Sequence, residues 1–325
     1  MSRDINGCSF IEFLGPMPGI DSQTRSGESL HLYNTLQWCI LGDEGEPKPP
    51  RLNNYIGRFS HLDEEESSSL SESVKTAFRD SELIKVLASK NRGNRKSFFC
   101  EQVLATKHAI RHVSAHGLFC PGDTDDRRTL NPSTLRGVDE WFLSPKDGRS
   151  RVSLAELAER STDRKSQLAE QAMTLLACNA GRKEVLDYIT RDIGFGVAIG
   201  WDGYSYFTES MLFYLDFYLA WFWSFAATKP ISPVQRAIRA FCHAFSVMQY
   251  RYESDRGCFE DLFEDAVKHG FMHRVPDRED RSICCHGFLP RISIREKVLD
   301  AAKYAREREL LSLRCPNHFS IVKQG

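Results

Sequence analysis

The chain lacks the short motifs that identify most enzymes at sight. No two of its ten cysteines are spaced Cys-x-x-Cys, which excludes a zinc knuckle or ribbon. There is no Walker phosphate loop and no Gly-x-Ser-x-Gly elbow. His108 and His112 enclose no glutamate, so a zincin helix is also excluded. Gly194-x-Gly196-x-x-x-Gly200 lacks the spacing of a dinucleotide fingerprint. Neither sign of charge is in excess. Lys and Arg number 43 against 44 Asp and Glu, for a net charge of −1, which argues against a broad sequence-independent nucleic-acid surface. No segment at the N-terminus has the apolar length of a signal peptide. A spanning helix needs about 20 apolar residues. The run Met211–Ala227 falls short and carries Asp216, whose charge is costly in lipid. With thiols scattered among apolar residues at Cys100, Cys178 and Cys242, the expectation is a cytoplasmic protein in a reducing compartment, without a transmembrane segment.

Strand signals are few and helical periodicity is common. Gly15–Gly19 and Glu46–Pro50 are rich in turn and extended-chain residues, so residues 1–60 are expected to form an irregular N-terminal arm, with Leu30–Leu41 between them either a helix or a strand. Residues 61–325 are expected to form one large helical domain. Val74, Ala77, Phe78, Ile84 and Leu87 recur at helical spacing, as do Phe99, Val103, Ile110 and Val113. Ser153 with Glu156 fits a capping box, and Ser232 before Pro233 fits a helix start. Further helices are expected over 165–180, 182–190, 258–269 and 292–313. Tyr204–Ala227 is aromatic around its whole circumference, which predicts a central helix. The fold class expected from this pattern is mainly α, organised around that aromatic helix.

Candidate chemistry falls in four places. Asp216, among Tyr214, Tyr218 and Trp221, is a carboxylate in an apolar setting. It needs a partner such as Arg236 or Arg239, or it is a candidate acid in an aromatic pocket. Asp125 and Asp126, with Glu260, Asp261 and Glu264, are paired carboxylates of the kind that hold Mg²⁺ against a diphosphate. Arg92, Arg95 and Lys96 form a local basic turn suited to phosphate. His108, His112 and His116 recur at i, i+4, i+8, one face of a helix.

Three partial resemblances accompany these residues. Leu176–Ile189, with Ala177, Gly181, Val185, Leu186 and Ile189, resembles the helix-turn-helix core of an ankyrin repeat. It covers one unit only, and no array follows. The two acidic segments are similar in outline to class I terpene synthases, although Asp123–Asp126 follows Pro121-Gly122 and the second segment departs from that family's pattern. Glu260-Asp261-x-x-Glu264 resembles the acidic motif of fungal arginine-containing cyclodipeptide synthases, with Glu in place of Asp at its first position. That resemblance would imply tRNA as a partner. Neither synthase motif is matched in full. Two readings follow. One is a helical biosynthetic enzyme taking an apolar or phosphate-bearing small molecule. The other is a non-catalytic helical protein that binds a protein partner.

Overall fold

The computed structural model describes residues 7–13, 28–41, 64–86, 92–119, 141–144, 151–201, 207–224, 231–254, 290–296, 304–315 and 318–323. The first half runs β1 (Cys8–Phe13), α1 (Glu28–Leu41), α2 (Glu64–Arg79), β2 (Glu82–Val86), α3 (Arg92–Leu104), β3 (Ile110–Ser114), β4 (His116–Phe119) and β5 (Trp141–Ser144). The second half runs β6 (Val152–Ser153), α4 (Leu154–Arg160), α5 (Lys165–Leu168), β7 (Ala172–Leu176), α6 (Lys183–Tyr188), β8 (Val197–Trp201), α7 (Phe207–Trp223), α8 (Pro233–Ser254), β9 (Pro290–Arg295), α9 (Ala305–Arg314) and β10 (Phe319–Val322). A π-helical turn, Ile189–Ile193, extends α6.

The mainly α expectation is overturned. Seven strands form one sheet in the order β10-β9-β8-β7-β3-β1-β2, and β4-β5-β6 form a second. Strands β2, β1, β3, β7 and β8 are mutually parallel. β9 runs antiparallel to β8, and β10 runs parallel to β9. Helices cover both faces, as a parallel sheet requires. Phe10 faces the cluster of α1, α2, α7 and α8, whereas Ile11 faces the cluster of α3, α4 and α6. The period of two along β1 thus feeds two cores.

The error has a physical cause. β1, β3, β7 and β8 are buried along their whole length. Strands buried on both faces lose the polar-apolar alternation that identifies a half-exposed strand. Ile84, Ile110 and Val113, expected on helices, lie in β2 and β3. Residues 172–176, expected within a helix over 165–180, are β7, and residues 290–295 are β9. Within 1–60, Cys8–Phe13 is an interior strand, and Glu28–Leu41 is a helix, one of the two alternatives open for Leu30–Leu41.

Locally coded features hold. The Glu156 N–H donates to Ser153 Oγ at 3.1 Å, and the helix begins at Leu154. The Gln235 N–H donates to Ser232 Oγ at 3.2 Å, and α8 begins at Pro233. The aromatic helix exists as α7, but it packs on one face of the sheet instead of forming the centre. No helix among the described residues is long and apolar enough to cross a membrane.

This topology has a switch point. The chain leaves β1 for β2 on one side and returns to β3 on the other. In open α/β sheets, ligands bind at the carboxyl ends of strands beside such a reversal.

Candidate active site

Ser114 and Leu176 are the last register pair of β3 and β7. Beyond it, the Ala115 N–H still donates to the Leu176 carbonyl at 3.2 Å, so the two chains stay joined past the strand ends. His116 stands two residues beyond Ser114, and Cys178 two residues beyond Leu176. The register therefore delivers an imidazole and a thiol to neighbouring positions on the carboxyl edge, next to the switch point. His116 is exposed and Cys178 half-buried. Cys178 is a thiol, not part of a disulfide.

The main chain around Cys178 is a tight turn. Asn179 has φ of 59°, the left-handed region, and is the only described non-glycine residue with positive φ. Asparagine tolerates that region better than most side chains, yet it remains a strained position of the kind that gathers at functional sites. The Ala180 N–H donates to the Ala177 carbonyl at 3.2 Å, and the Arg182 N–H to the Asn179 carbonyl at 3.2 Å. The Gly181 N–H donates to the Trp201 carbonyl at 2.8 Å, which ties the turn to the end of β8. A Cβ on Gly200 would lie 2.6 Å from the Ala180 carbonyl, so only glycine lets β8 approach this closely. Gly117 performs the same service on the histidine side. A Cβ there would stand 2.0 Å from the Cys178 carbonyl oxygen. Trp141 of β5 completes the enclosure, with its indole N–H donating to the Cys178 carbonyl at 3.2 Å.

One carboxylate, Glu12, lies in the strand row Glu12, Ser114, Leu176, and a second, Glu28 of α1, reaches that row. Glu12 Oε2 accepts from the Ser29 N–H at 2.7 Å and the Leu30 N–H at 3.4 Å, anchoring the start of α1. Ser114 Oγ donates to Glu28 Oε2 at 2.9 Å. Both contacts fasten α1 to the carboxyl edge of the sheet.

Of the residues singled out from sequence, those described lie in α3 and α7 and, for the histidines, in and around β3 and β4. Asp125, Asp126, Glu260, Asp261 and Glu264 lie outside the described residues. Arg92 opens α3. Arg95 is buried with its guanidinium 5.2 Å from the Phe13 ring centroid, and Lys96 pairs with Glu156 at 2.5 Å. Asp216 is buried on α7. Of its two expected partners, Arg239 pairs with Glu307 at 2.7 Å, and Arg236 lies 5.1 Å from the Trp221 ring centroid. Tyr214, Tyr218 and Trp221 are fully buried against the sheet. Tyr214 donates to the Leu175 carbonyl at 2.7 Å, and the Tyr218 hydroxyl is 2.8 Å from Thr174 Oγ1. Burial pushes both phenols up from their ordinary pKa.

The helical histidine series is corrected. His112 is a fully buried residue of β3, with Nδ1 2.9 Å from Thr174 Oγ1, and His116 opens β4. The ankyrin-like hairpin is corrected as well. Leu176 ends a strand, Ala177–Arg182 is the turn, and only Lys183–Tyr188 is helix. Among the described residues, no group of three or more His, Cys, Asp or Glu is placed to hold a metal.

Sequence reading passed over Cys178 as a core thiol on a helix. Its signal lay in the run Met173–Ala177, a short apolar stretch ending in Cys-Asn-Ala-Gly, where a strand gives way to turn residues. Comparison with protein-family models, curated proteins and solved structures finds no match.

Proposed function

We propose that the chain is a cysteine peptidase, with Cys178 as nucleophile and His116 as general base. The observation that carries this reading is the joint placement of thiol and imidazole just beyond one register pair of adjacent parallel strands. A cysteine nucleophile needs a base brought beside it by the fold, not by the sequence. The left-handed Asn179 next to Cys178 gives further support, because strained backbone of this kind gathers at functional sites. The linear layout is also similar to that of caspase-type peptidases. In those, an Ala-Cys pair with a glycine shortly after it follows the histidine by about 50 residues. Here Ala177-Cys178 precedes Gly181, and His116 lies about 60 residues upstream.

The chemistry would run in two steps. His116 takes the proton from Cys178 Sγ as the sulfur attacks the carbonyl carbon of a peptide bond. The C–N bond breaks, His116 returns the proton to the leaving amine, and a thioester remains on Cys178. Water, deprotonated by His116, then releases the acid and restores the thiol. The tetrahedral oxyanion formed in each step is the charge that backbone N–H donors stabilise in such enzymes.

The test incubates the purified chain with a fluorogenic peptide library and with a peptidyl acyloxymethyl ketone, a probe that alkylates an activated cysteine. Cleavage and labelling are expected in the wild type and absent in Cys178→Ala, with His116→Ala reduced by about 100-fold or more. Labelling that survives in Cys178→Ala, or a wild type inert to both reagents, overturns the assignment.

A further inference from the structure

We propose that Trp141 is a positioning residue for the nucleophile, holding the Cys178 peptide through its indole N–H. The inference rests on the assignment of Cys178 just made. Trp141 is fully buried, and an indole nitrogen can only donate. A buried N–H of this kind demands an acceptor, and here the acceptor is the carbonyl of the proposed nucleophile itself, at 3.2 Å.

The consequence is geometric. The Cys178 carbonyl sets the plane of the peptide that leads into the left-handed Asn179. Fixing that oxygen fixes ψ at residue 178, and so the bend on which the thiol is carried. Without the donor, the strained turn has a lower barrier to relaxing, and the sulfur moves with it.

The origin of the donor adds a second consequence. Trp141 begins β5, and β5 pairs with β4 in the register Phe119↔Trp141, Gly117↔Leu143 and His116↔Ser144. One antiparallel strand pair thus carries the proposed base at one end and the support of the nucleophile at the other. The site where a Gly117 Cβ would sit is 3.0 Å from Trp141 Nε1 and 2.0 Å from the Cys178 oxygen, so Gly117, Trp141 and Cys178 are packed as one unit. The separation of thiol and imidazole is then set by the small sheet as well as by β3 and β7.

The test must separate the N–H from the bulk of the ring. Trp141→Phe shortens the ring system and removes the donor. Replacement of Trp141 by 3-benzothienylalanine keeps the bicyclic shape and exchanges N–H for sulfur. Both variants are compared with wild type in peptide cleavage, in the pH dependence of Cys178 alkylation by iodoacetamide, and in thermal midpoint. The expected result is a fall in kcat of about 10- to 100-fold in the isostere, with little change in KM and a shifted alkylation profile at near-native thermal stability. Wild-type kcat and an unshifted alkylation profile in the isostere overturn the proposal and make Trp141 core filling alone. A wild type without Cys178-dependent cleavage overturns the peptidase reading instead. In that case the alkylation profile still decides whether Trp141 positions the thiol.

Discussion

The α-carbon of Gly117 faces the carbonyl oxygen of Cys178 so closely that a methyl group on it would stand 2.0 Å from that oxygen. Carbonyl oxygen and Cβ do not approach to that distance, so any side chain at 117 must displace the turn that carries Cys178. Gly117→Ala is therefore expected to abolish peptide cleavage. It should also destabilise the fold by about 1–3 kcal/mol through overpacking. Probe labelling of Cys178 beside a urea unfolding curve checks both. A fully active Gly117→Ala protein would show that the two segments are not in this contact in solution.

Asn179 offers a change of opposite sign at the same turn. Its φ of 59° suits glycine and penalises a residue with a Cβ and no local hydrogen bonding. Asn179→Gly is expected to keep the native turn, whereas Asn179→Ala should lose about 1 kcal/mol and part of the alkylation rate at Cys178. The ordering of the two variants in urea midpoint is the measurement. Alanine equal to or above glycine contradicts it.

Arg111 is a fully buried residue of β3 whose three guanidinium nitrogens have no hydrogen-bond partner among the described residues. Its guanidinium lies 5.4 Å from the Phe195 ring centroid, and burial lowers its pKa to about 9. A charge so placed costs more in lost hydration than it recovers. Arg111→Met, of similar length and without charge, is expected to raise stability by about 1–4 kcal/mol. A lower thermal midpoint in this variant would mean that a partner neutralises the guanidinium.

His112 should impose a pH dependence on folding. Burial lowers its pKa to about 3, against about 6.5 in an unfolded chain. Between those values the unfolded chain binds the proton and the folded chain does not. Stability is then full above about pH 6.5 and falls as the pH drops toward 3, by at most about 1.4 kcal/mol per pH unit from this group. The difference between wild type and His112→Gln across pH 4–8, followed by chemical denaturation, isolates the contribution. Parallel profiles over that range would rule it out.

The sequence by itself determined what is coded within a turn or two of chain. The Ser153 and Ser232 caps, the start of α8 at Pro233 and the continuous apolar character of α7 were all legible, because each depends on neighbours three or four residues away. The sheet was not legible. His112 and His116 are four residues apart, a spacing that shares a face on a helix and equally on a strand, so periodicity could not choose between them. Burial of β3 and β7 on both sides removed the alternation that would have chosen. Only the pairing of Ser114 with Leu176 brings His116 beside Cys178, and that pairing joins segments separated by more than fifty residues of sequence. A thiol that reads as one more small apolar residue becomes a candidate nucleophile once the tertiary structure gathers a histidine, a left-handed turn and a close-packed glycine around its main chain.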